Sequence, residues 1–239
     1  MNFINNLGIA TPSDFSEVGI TNGLIRWWPL NGNVNDLTEN KGNATNNAII
    51  AAGLDQLCYS FNGSSNYIDL NYGLGFNPTS SLSITLWVKS SNAASNLMFL
   101  SSGQAPDSNA RLYLATYNGN WDMGIYTNGW GSGSTVAATT AWTFISLIMN
   151  GTTAYMYADV QLTKQVAYSS YVLNQNIRLG THGTDGSYYW NGLIQDVRIY
   201  NRALSLEEVK IQYELIKNKV MNIDSTDKLY IAGKLNEVY

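Results

Sequence analysis

Two loop-rich segments of the chain combine aromatic rings with amide and carboxylate side chains, which is the chemistry that proteins use to bind sugars. Aromatic rings stack on the apolar faces of pyranoses, while Asn and Asp side chains hydrogen-bond to the hydroxyl groups. The segments are residues 117–134 and 181–190. The candidate carbohydrate-binding residues are Tyr117, Asn120, Trp121, Tyr126, Asn128, Trp130, His182, Asp185 and Tyr188. Packing in the core is the alternative for Trp121 and Trp130, because the pattern does not establish their burial.

The residue types on which many hydrolases and zinc enzymes depend are scarce in this chain. It has one histidine, His182, and one cysteine, Cys58, so a Cys/His pair or a zinc cluster built from these residue types is not expected. The sequence contains no Gly-x-Ser-x-Gly nucleophile elbow. We therefore expect no catalytic residues. Cys58 lies in an apolar strand pattern and is interpreted as a packing residue.

Short strands separated by turn residues make up most of the chain. The stretch Leu82–Val88 alternates apolar residues with Ser83, Thr85 and Trp87, so one face should lie in the core and the other should be open. Asn150-Gly151, between two further strand patterns, is the strongest hairpin signal in the sequence. Many short strands at this spacing predict an all-β, two-sheet antiparallel sandwich.

A long strand near the end of the chain is followed by the one helix that the sequence predicts, residues 204–219. Ser205 can cap this helix while Glu208, three residues later, reaches back to it. Leu204, Val209 and Tyr213 would then face the sheet. In the strand, alternation predicts one face with Leu193, Gln195, Val197 and Ile199 and another with Ile194, Asp196, Arg198 and Tyr200.

Composition limits the classes of partner. The chain has 239 residues, of which 45% are hydrophobic and 13% are charged, and its net charge is −4. It contains no cluster of Lys and Arg, so nucleic acid is not an expected partner, because phosphate neutralisation supplies most of that affinity. Neither a signal peptide nor a transmembrane segment is apparent, and membrane insertion is not expected.

Five stretches, in this order, carry a family resemblance that covers roughly residues 23–213. Together they resemble the laminin G-like jelly rolls of the concanavalin A-like lectin/glucanase superfamily, which implies a jelly-roll sandwich. The stretches are Trp28-Pro-Leu-Asn-Gly32, Phe61-Asn-Gly-Ser-Ser-Asn-Tyr-Ile68, Leu82-Ser-Ile-Thr-Leu-Trp-Val-Lys89, Trp142-Thr-Phe-Ile-Ser-Leu-Ile-Met-Asn-Gly151 and Gly192-Leu-Ile-Gln-Asp-Val-Arg-Ile-Tyr-Asn-Arg-Ala-Leu-Ser-Leu-Glu-Glu-Val209.

The resemblance also bears on metal binding and on catalysis. Jelly rolls of this type often hold one calcium ion between the first and last strands, which implies a structural Ca²⁺ site with Asp36 and Gln195 as ligands. This chain has Gln195 and Asn31 where the family often has Asp, and the alternative is that these polar residues hydrogen-bond loops to the sheet. Glucanases of the superfamily carry alternating acidic residues on one strand, and no predicted strand here does.

The sequence predicts a central domain with an arm at each end. Residues 1–22 are interpreted as an N-terminal arm, 23–219 as the jelly roll and 220–239 as a C-terminal β-hairpin arm. Within the C-terminal arm, the stretch Lys228-Leu-Tyr-Ile-Ala-Gly-Lys-Leu-Asn-Glu237 resembles the endings of phage structural proteins carrying this fold. The arm could pair with a neighbouring subunit, and folding back on its own domain is the alternative.

Together these features predict a non-catalytic carbohydrate-binding or adhesion module displayed on a phage particle as a decoration, fibre or tail-associated protein. Expected partners are glycans, and other virion proteins or further copies of the chain through the arms. The expected location is a virion surface, or a cell surface or extracellular space. A purely structural virion or assembly protein is the alternative, and a glycan-cleaving enzyme is the least favoured of the three.

Overall fold

The computed structural model describes residues 20–73, 81–102, 112–125, 133–168, 176–183 and 187–222. Most of both predicted arms, residues 1–19 and 223–239, lies outside this part of the chain. The described elements are β1 Leu24–Trp28, β2 Thr45–Asn46, β3 Ile49–Ala52, β4 Leu57–Asn62, β5 Ile68–Gly73, β6 Leu82–Ser90, β7 Leu97–Ser102, β8 Leu112–Tyr117, β9 Asn120–Ile125, β10 Trp142–Asn150, β11 Thr153–Ala158, β12 Gln161–Ala167, β13 Asn176–Leu179, β14 Asn191–Tyr200 and the helix α1 Leu206–Asn222.

Two antiparallel sheets form a sandwich. The eight-stranded sheet has the order β12-β11-β10-β6-β14-β4-β3, and β1 also pairs with β14. The six-stranded sheet has the order β2-β5-β13-β7-β8-β9. The predicted all-β jelly-roll sandwich with one short C-terminal helix is therefore confirmed. The hairpin predicted at Asn150-Gly151 is also present, with Asn150 paired to Thr153.

The hydrophobic core lies between the two sheets. Leu82, Ile84, Leu86 and Val88 of β6 all enter it, as their alternation predicts. Facing strands of the six-stranded sheet contribute in the same way, with alternate residues buried in the core and the intervening residues on the opposite face. Cys58 is buried, and burial raises the pKa of its thiol to about 12.

The second face of β6 is covered, which corrects the expectation that it is open. Ser83, Thr85 and Trp87 are buried beneath α1 and the segment that leads into it. The Ser83 hydroxyl donates to the carbonyl of Arg202 at 2.8 Å, and the Thr85 hydroxyl lies 3.2 Å from Oε1 of Gln212. The helix therefore makes a third layer outside the eight-stranded sheet.

The start of α1 has the predicted reciprocal cap. The Ser205 hydroxyl accepts from the backbone N–H of Glu208 at 3.2 Å, and the Glu208 carboxylate accepts from the backbone N–H of Ser205 at 2.9 Å. Arg202 adds two further bonds to that carboxylate, at 2.8 and 2.6 Å. The helix continues to Asn222, past the predicted domain boundary at residue 219.

A β-bulge in β14 corrects the predicted assignment of its faces. The register with β6 shifts between Gln195 and Arg198, and Asp196 has a left-handed backbone with φ of 55°. The extra residue reverses the alternation, so Ile194 shares the core with Val197 and Ile199. Simple alternation had separated Ile194 from the other two residues.

The N-terminal boundary also shifts slightly. Ile20, which was assigned to the arm, packs against the hydrophobic cluster beneath α1. The Arg202 guanidinium donates to the carbonyl of Asn22 at 2.8 Å. Residues 20–22 are thus part of the folded domain.

Candidate functional site

The six-stranded sheet turns one face away from the core, and we call this its outer face. The strand registers place Asp69, Arg178, Ser101, Tyr113 and Gly124 side by side in one row across five strands. Their neighbours along the strands point into the core, so this row lies on the outer face. Polar side chains collect in this row, where Asp69, Ser101 and Tyr113 are buried and Arg178 is partly exposed.

A small apolar cluster lies on the outer face. It consists of Met98, Tyr113 and Ala115 from β7 and β8. The Tyr113 ring lies directly over Gly124, where an added Cβ would come within 1.9 Å of the ring. Burial, and next the charge of Asp122, raise the pKa of the Tyr113 hydroxyl well above its usual range. Met98 and Ala115 have no exposed surface and Tyr113 is 7% exposed, so this central part of the outer face is buried, and the accessible residues lie at its end.

Beside β7 lies the turn of residues 181–190, which carries two of the predicted site residues. The backbone N–H of Met98 donates to the carbonyl of Tyr188 at 2.9 Å, and the N–H of His182 donates to the carbonyl of Ser187 at the same distance. The Tyr188 side chain is 48% exposed, and its ring meets that of His182 edge-on at 6.1 Å. In the described ranges, Tyr188 is the one aromatic residue with an exposed side chain.

Tyr188 holds an uncommon backbone conformation, with φ of 52°. A non-glycine residue in this left-handed region costs roughly 1–3 kcal/mol and persists only where its surroundings impose it. Here the bond to Met98 and the parallel bridge between Met98 and Tyr189 impose it. In this conformation the ring of Tyr188 remains half exposed.

Two residues that the sequence analysis missed tie this turn to the sheet. The buried Ser101 hydroxyl donates to the carbonyl of Thr181 and accepts from the N–H of Gly183, both at 2.8 Å. Arg178 donates to the carbonyl of Gly183 at 3.0 Å and to the carboxylate of Asp69 at 2.9 Å. A single cation within the short apolar strand Asn-Ile-Arg-Leu was the signal that could have drawn attention to Arg178.

Tyr117 and Asn120 lie at the neighbouring end of the same face. They pair with each other across the β8–β9 turn. Each lies an even number of residues from an outer-face residue of its own strand, so its side chain is on the same face. β7 lies between β8, which carries Tyr117, and the turn that carries Tyr188, so these two backbone segments are separated by two strand spacings, about 10 Å. Asn120 is on β9, one strand farther away. Tyr117, Asn120, His182 and Tyr188 are thus brought to one end of the outer face.

Trp121 does not belong to this group, and the expectation that its ring contacts a sugar is wrong. Its side chain points into the core, is 1% exposed and packs edge-on against Phe99 with the ring centroids 6.0 Å apart. The reason is strand parity, because Trp121, Met123 and Ile125 all face inward. Tyr126, Asn128, Trp130 and Asp185 lie outside the described residues.

Charged groups on the outer face occur as ion pairs. Lys164 of β12 reaches across to Asp122 with an N–O distance of 2.7 Å, and both side chains are almost completely buried. Ser134 also hydrogen-bonds to Asp122. Asp69 pairs with Arg178, whose guanidinium lies 5.0 Å from the centre of the Tyr67 ring. These carboxylates are therefore engaged within the protein.

Asp36 and Gln195, the ligands implied for calcium, do not fit a shared cation. The Asp36 carboxylate accepts from the backbone N–H groups of Trp27, Thr38 and Gly42 at 2.9 to 3.1 Å, and the Arg26 guanidinium lies 3.5 Å away. Such donors surround an anion and would repel a metal ion. Asp36 instead organises its loop.

The Gln195 side chain is likewise hydrogen-bonded to a loop. Its Oε1 accepts from the backbone N–H of Leu54 at 2.8 Å, and its amide nitrogen donates to Asp55. Throughout the described ranges, no group of three or more His, Cys, Asp and Glu residues is arranged to hold a metal ion. In the same part of the chain, no helix has the length and apolar character that crossing a membrane requires.

Solved structures similar to the chain include domain 4 of AbnA, a GH43 extracellular arabinanase from Geobacillus stearothermophilus, in complex with arabinotriose. It has a TM-score of 0.66 and 21% identity, over 78% of this chain and 96% of that domain. The binding domain of Paraclostridial Mosquitocidal Protein 1 has a TM-score of 0.61 and 16% identity, over 80% of this chain and 52% of that one. The binding domain of botulinum neurotoxin serotype D has a TM-score of 0.59 and 16% identity, over 83% and 52%.

These likenesses show the fold, and the chain spans about half the length of the two toxin binding domains. No curated protein sequence matches the chain. A family model for laminin G-like domains, described as the concanavalin A-like lectin/glucanases superfamily, matches residues 62–210. The chain belongs to this superfamily, and its fold is lectin-like.

Proposed function

We propose that the domain is a non-catalytic carbohydrate-binding module whose glycan contacts Tyr188, Tyr117 and Asn120 at the end of the outer face of the six-stranded sheet. The observation that carries this proposal is the half-exposed ring of Tyr188, which has a left-handed backbone conformation. A rigid, exposed aromatic ring is what stacking on a pyranose requires. The backbone that carries the ring is already bonded to β7, so this part of the turn does not have to be ordered when a sugar binds.

Polar groups around Tyr188 complement the stacking surface. His182 lies against its ring, Tyr117 lies about 10 Å across the sheet, and Asn120 lies about 14 Å across it. Amide, imidazole and phenol groups can each hydrogen-bond to sugar hydroxyls. The lectin-like fold and the AbnA domain solved with arabinotriose support the same class of ligand.

A binding role is favoured over glycan cleavage by the state of the carboxylates. A glycosidase needs one carboxylic acid to protonate the leaving group and a second carboxylate to act as nucleophile or base. Asp69 and Asp122, the two carboxylates on the six strands, are both held by cations of the protein. The comparison with two toxin binding domains supports a binding module as well.

The proposal is tested by titrating the full-length chain with soluble glycans, including arabino-oligosaccharides, in a calorimeter. Tyr188→Ala should weaken binding about two- to tenfold, because one aromatic contact contributes roughly 0.5–1.5 kcal/mol. Tyr188→Phe should retain affinity, since it keeps the ring. Leu162→Ala removes an exposed apolar side chain from β12 of the other sheet and should change nothing.

Two results would overturn the proposal. One is the absence of any glycan ligand at millimolar concentration. The other is a glycan that binds Tyr188→Ala as tightly as the unaltered chain. Release of reducing ends from the bound polysaccharide would overturn the non-catalytic part alone.

For the biological setting we propose display on a phage particle, with the segments at 1–19 and 223–239 attaching the domain to other virion proteins or to further copies of itself. Support comes from the charge-poor composition and from the sequence resemblance of the Lys228–Glu237 stretch to the endings of phage structural proteins. Many weakly binding copies on one particle would gain strength through multivalency. Immunogold labelling of purified particles tests this, and particles without label would contradict it.

A further inference from the structure

We infer that the glycan held on the outer face is electrically neutral, and this inference rests on the proposed function. The six strands of this sheet contain three charged residues, Asp69, Asp122 and Arg178. Lys164 adds a fourth charge by reaching in from β12. Two anions and two cations therefore meet on this face, and their charges cancel.

Both cations are already paired with carboxylates of the protein. Lys164 is almost completely buried and donates its ammonium group to Asp122, at 2.7 Å, and to the carbonyl of Met123, at 2.8 Å. Recognition of a carboxylate or sulfate needs an accessible donor of positive charge. Lys164 is thus a structural cation that closes the gap between the two sheets.

Arg178 is partly accessible, but three contacts hold its guanidinium group in place. Its Nε bonds to Asp69, one terminal nitrogen bonds to the carbonyl of Gly183, and its plane lies over the ring of Tyr67. Swinging toward a ligand would break the anchor of the turn that carries His182 and Tyr188. An acidic sugar would also approach the carboxylate of Asp69, which repels it.

Burying a ligand carboxylate without a cationic partner is costly, whereas hydroxyl groups need only neutral hydrogen-bond partners. Asn120, Tyr117 and Tyr188 supply such groups, so the face selects uncharged sugars.

The test compares matched neutral and acidic polysaccharides on the full-length chain. The neutral set is arabinan, galactan, mannan, dextran and fully methyl-esterified polygalacturonate. The acidic set is unesterified polygalacturonate, alginate, hyaluronan and heparin. Affinity is measured by biolayer interferometry at low salt and at roughly tenfold higher salt, where charge interactions are strongly screened. Leu162→Ala serves as the folded control.

We expect binding within the neutral set, with an affinity that changes less than about twofold between the two salt concentrations, since no ion pair is screened. Tighter binding of any acidic polysaccharide than of every neutral one, with affinity lost at high salt, overturns the inference while leaving a glycan-binding function intact. A blank result in both sets overturns the proposed function, and the inference with it.

Discussion

The phenol ring of Tyr213 on α1 stacks on the indole ring of Trp87 on β6, with centroids 5.8 Å apart and planes inclined by 17°. Phe144 on β10 completes the group, 5.1 Å from Trp87. This contact attaches the helix to the exterior of the eight-stranded sheet. It also buries the outer side chains of the strands that form the middle of the eight-stranded sheet.

Tyr213→Ala should lower the free energy of unfolding by about 2 kcal/mol, since it removes a half-buried aromatic ring and its stacking contact. Urea denaturation monitored by tryptophan fluorescence measures the loss. Ile211→Ala, at an exposed position on the same helix, should change stability by less than about 0.5 kcal/mol. Equal losses in the two variants would contradict the packing role of Tyr213. Glycan affinity should be unchanged in both.

Ser101→Ala should loosen the turn that carries Tyr188. The substitution leaves the carbonyl of Thr181 and the N–H of Gly183 without their buried partner, at a cost of about 1–3 kcal/mol. Hydrogen exchange of residues 181–188 should accelerate, and glycan affinity should fall although no ligand contact is removed. The control is Ser64→Ala, which lies in the exposed β4–β5 turn. If hydrogen exchange of these residues is as slow in Ser101→Ala as in the unaltered chain, Ser101 does not position the turn.

The buried pair of Asp122 and Lys164 should behave differently in single and double variants. Lys164→Met leaves an unpaired buried carboxylate and should cost about 3–5 kcal/mol. Adding Asp122→Leu should recover much of this loss, because it removes the orphaned charge. Lys89→Met removes an exposed lysine from β6 and should be nearly neutral. A small cost for Lys164→Met would mean that water reaches Asp122.

Ser205→Ala should destabilise the domain by about 1 kcal/mol through loss of the helix cap. The effect is measured as a lower midpoint in thermal unfolding. A threonine at the same position keeps the hydroxyl and should preserve most of the stability. If Ser205→Thr and Ser205→Ala unfold at the same temperature, the cap contributes nothing.

Acid stability should depend on Glu208. The hydrogen bonds from Arg202, followed by those from Ser205, lower the pKa of Glu208 from 4.5 to about 2. A carboxyl with a lower pKa in the folded state stabilises the protein above its unfolded pKa, and this contribution disappears as the pH falls from about 4.5 to about 2. Glu208→Gln should therefore unfold at a lower temperature than the parent chain at neutral pH, and at the same temperature once the pH falls to about 2. Glu207→Gln, in the same exposed first turn, is the control.

Local patterns were sufficient for much of the fold. Alternation along β6 identified its core face, because side chains of a strand point to opposite sides whatever surrounds it. The Asn150-Gly151 hairpin and the Ser205–Glu208 cap also depend on a few adjacent residues. The strands β2, β3 and β12 cannot be recognised from their own residues, since their short or mixed sequences become strands only by pairing with β5, β4 and β11.

The candidate site also follows partly from the local sequence and partly from the tertiary structure. The sequence by itself determined that Tyr117, Asn120, His182 and Tyr188 lie in segments rich in turns, because glycine and asparagine interrupt the strand pattern there. Only the tertiary structure placed these four residues at one end of one face and sent Trp121 into the core. The tertiary structure also brings Ser101 and Arg178 into hydrogen bonds with the turn. These outcomes depend on which strands pair and in which register, and a shift of one residue would exchange the two faces of a strand.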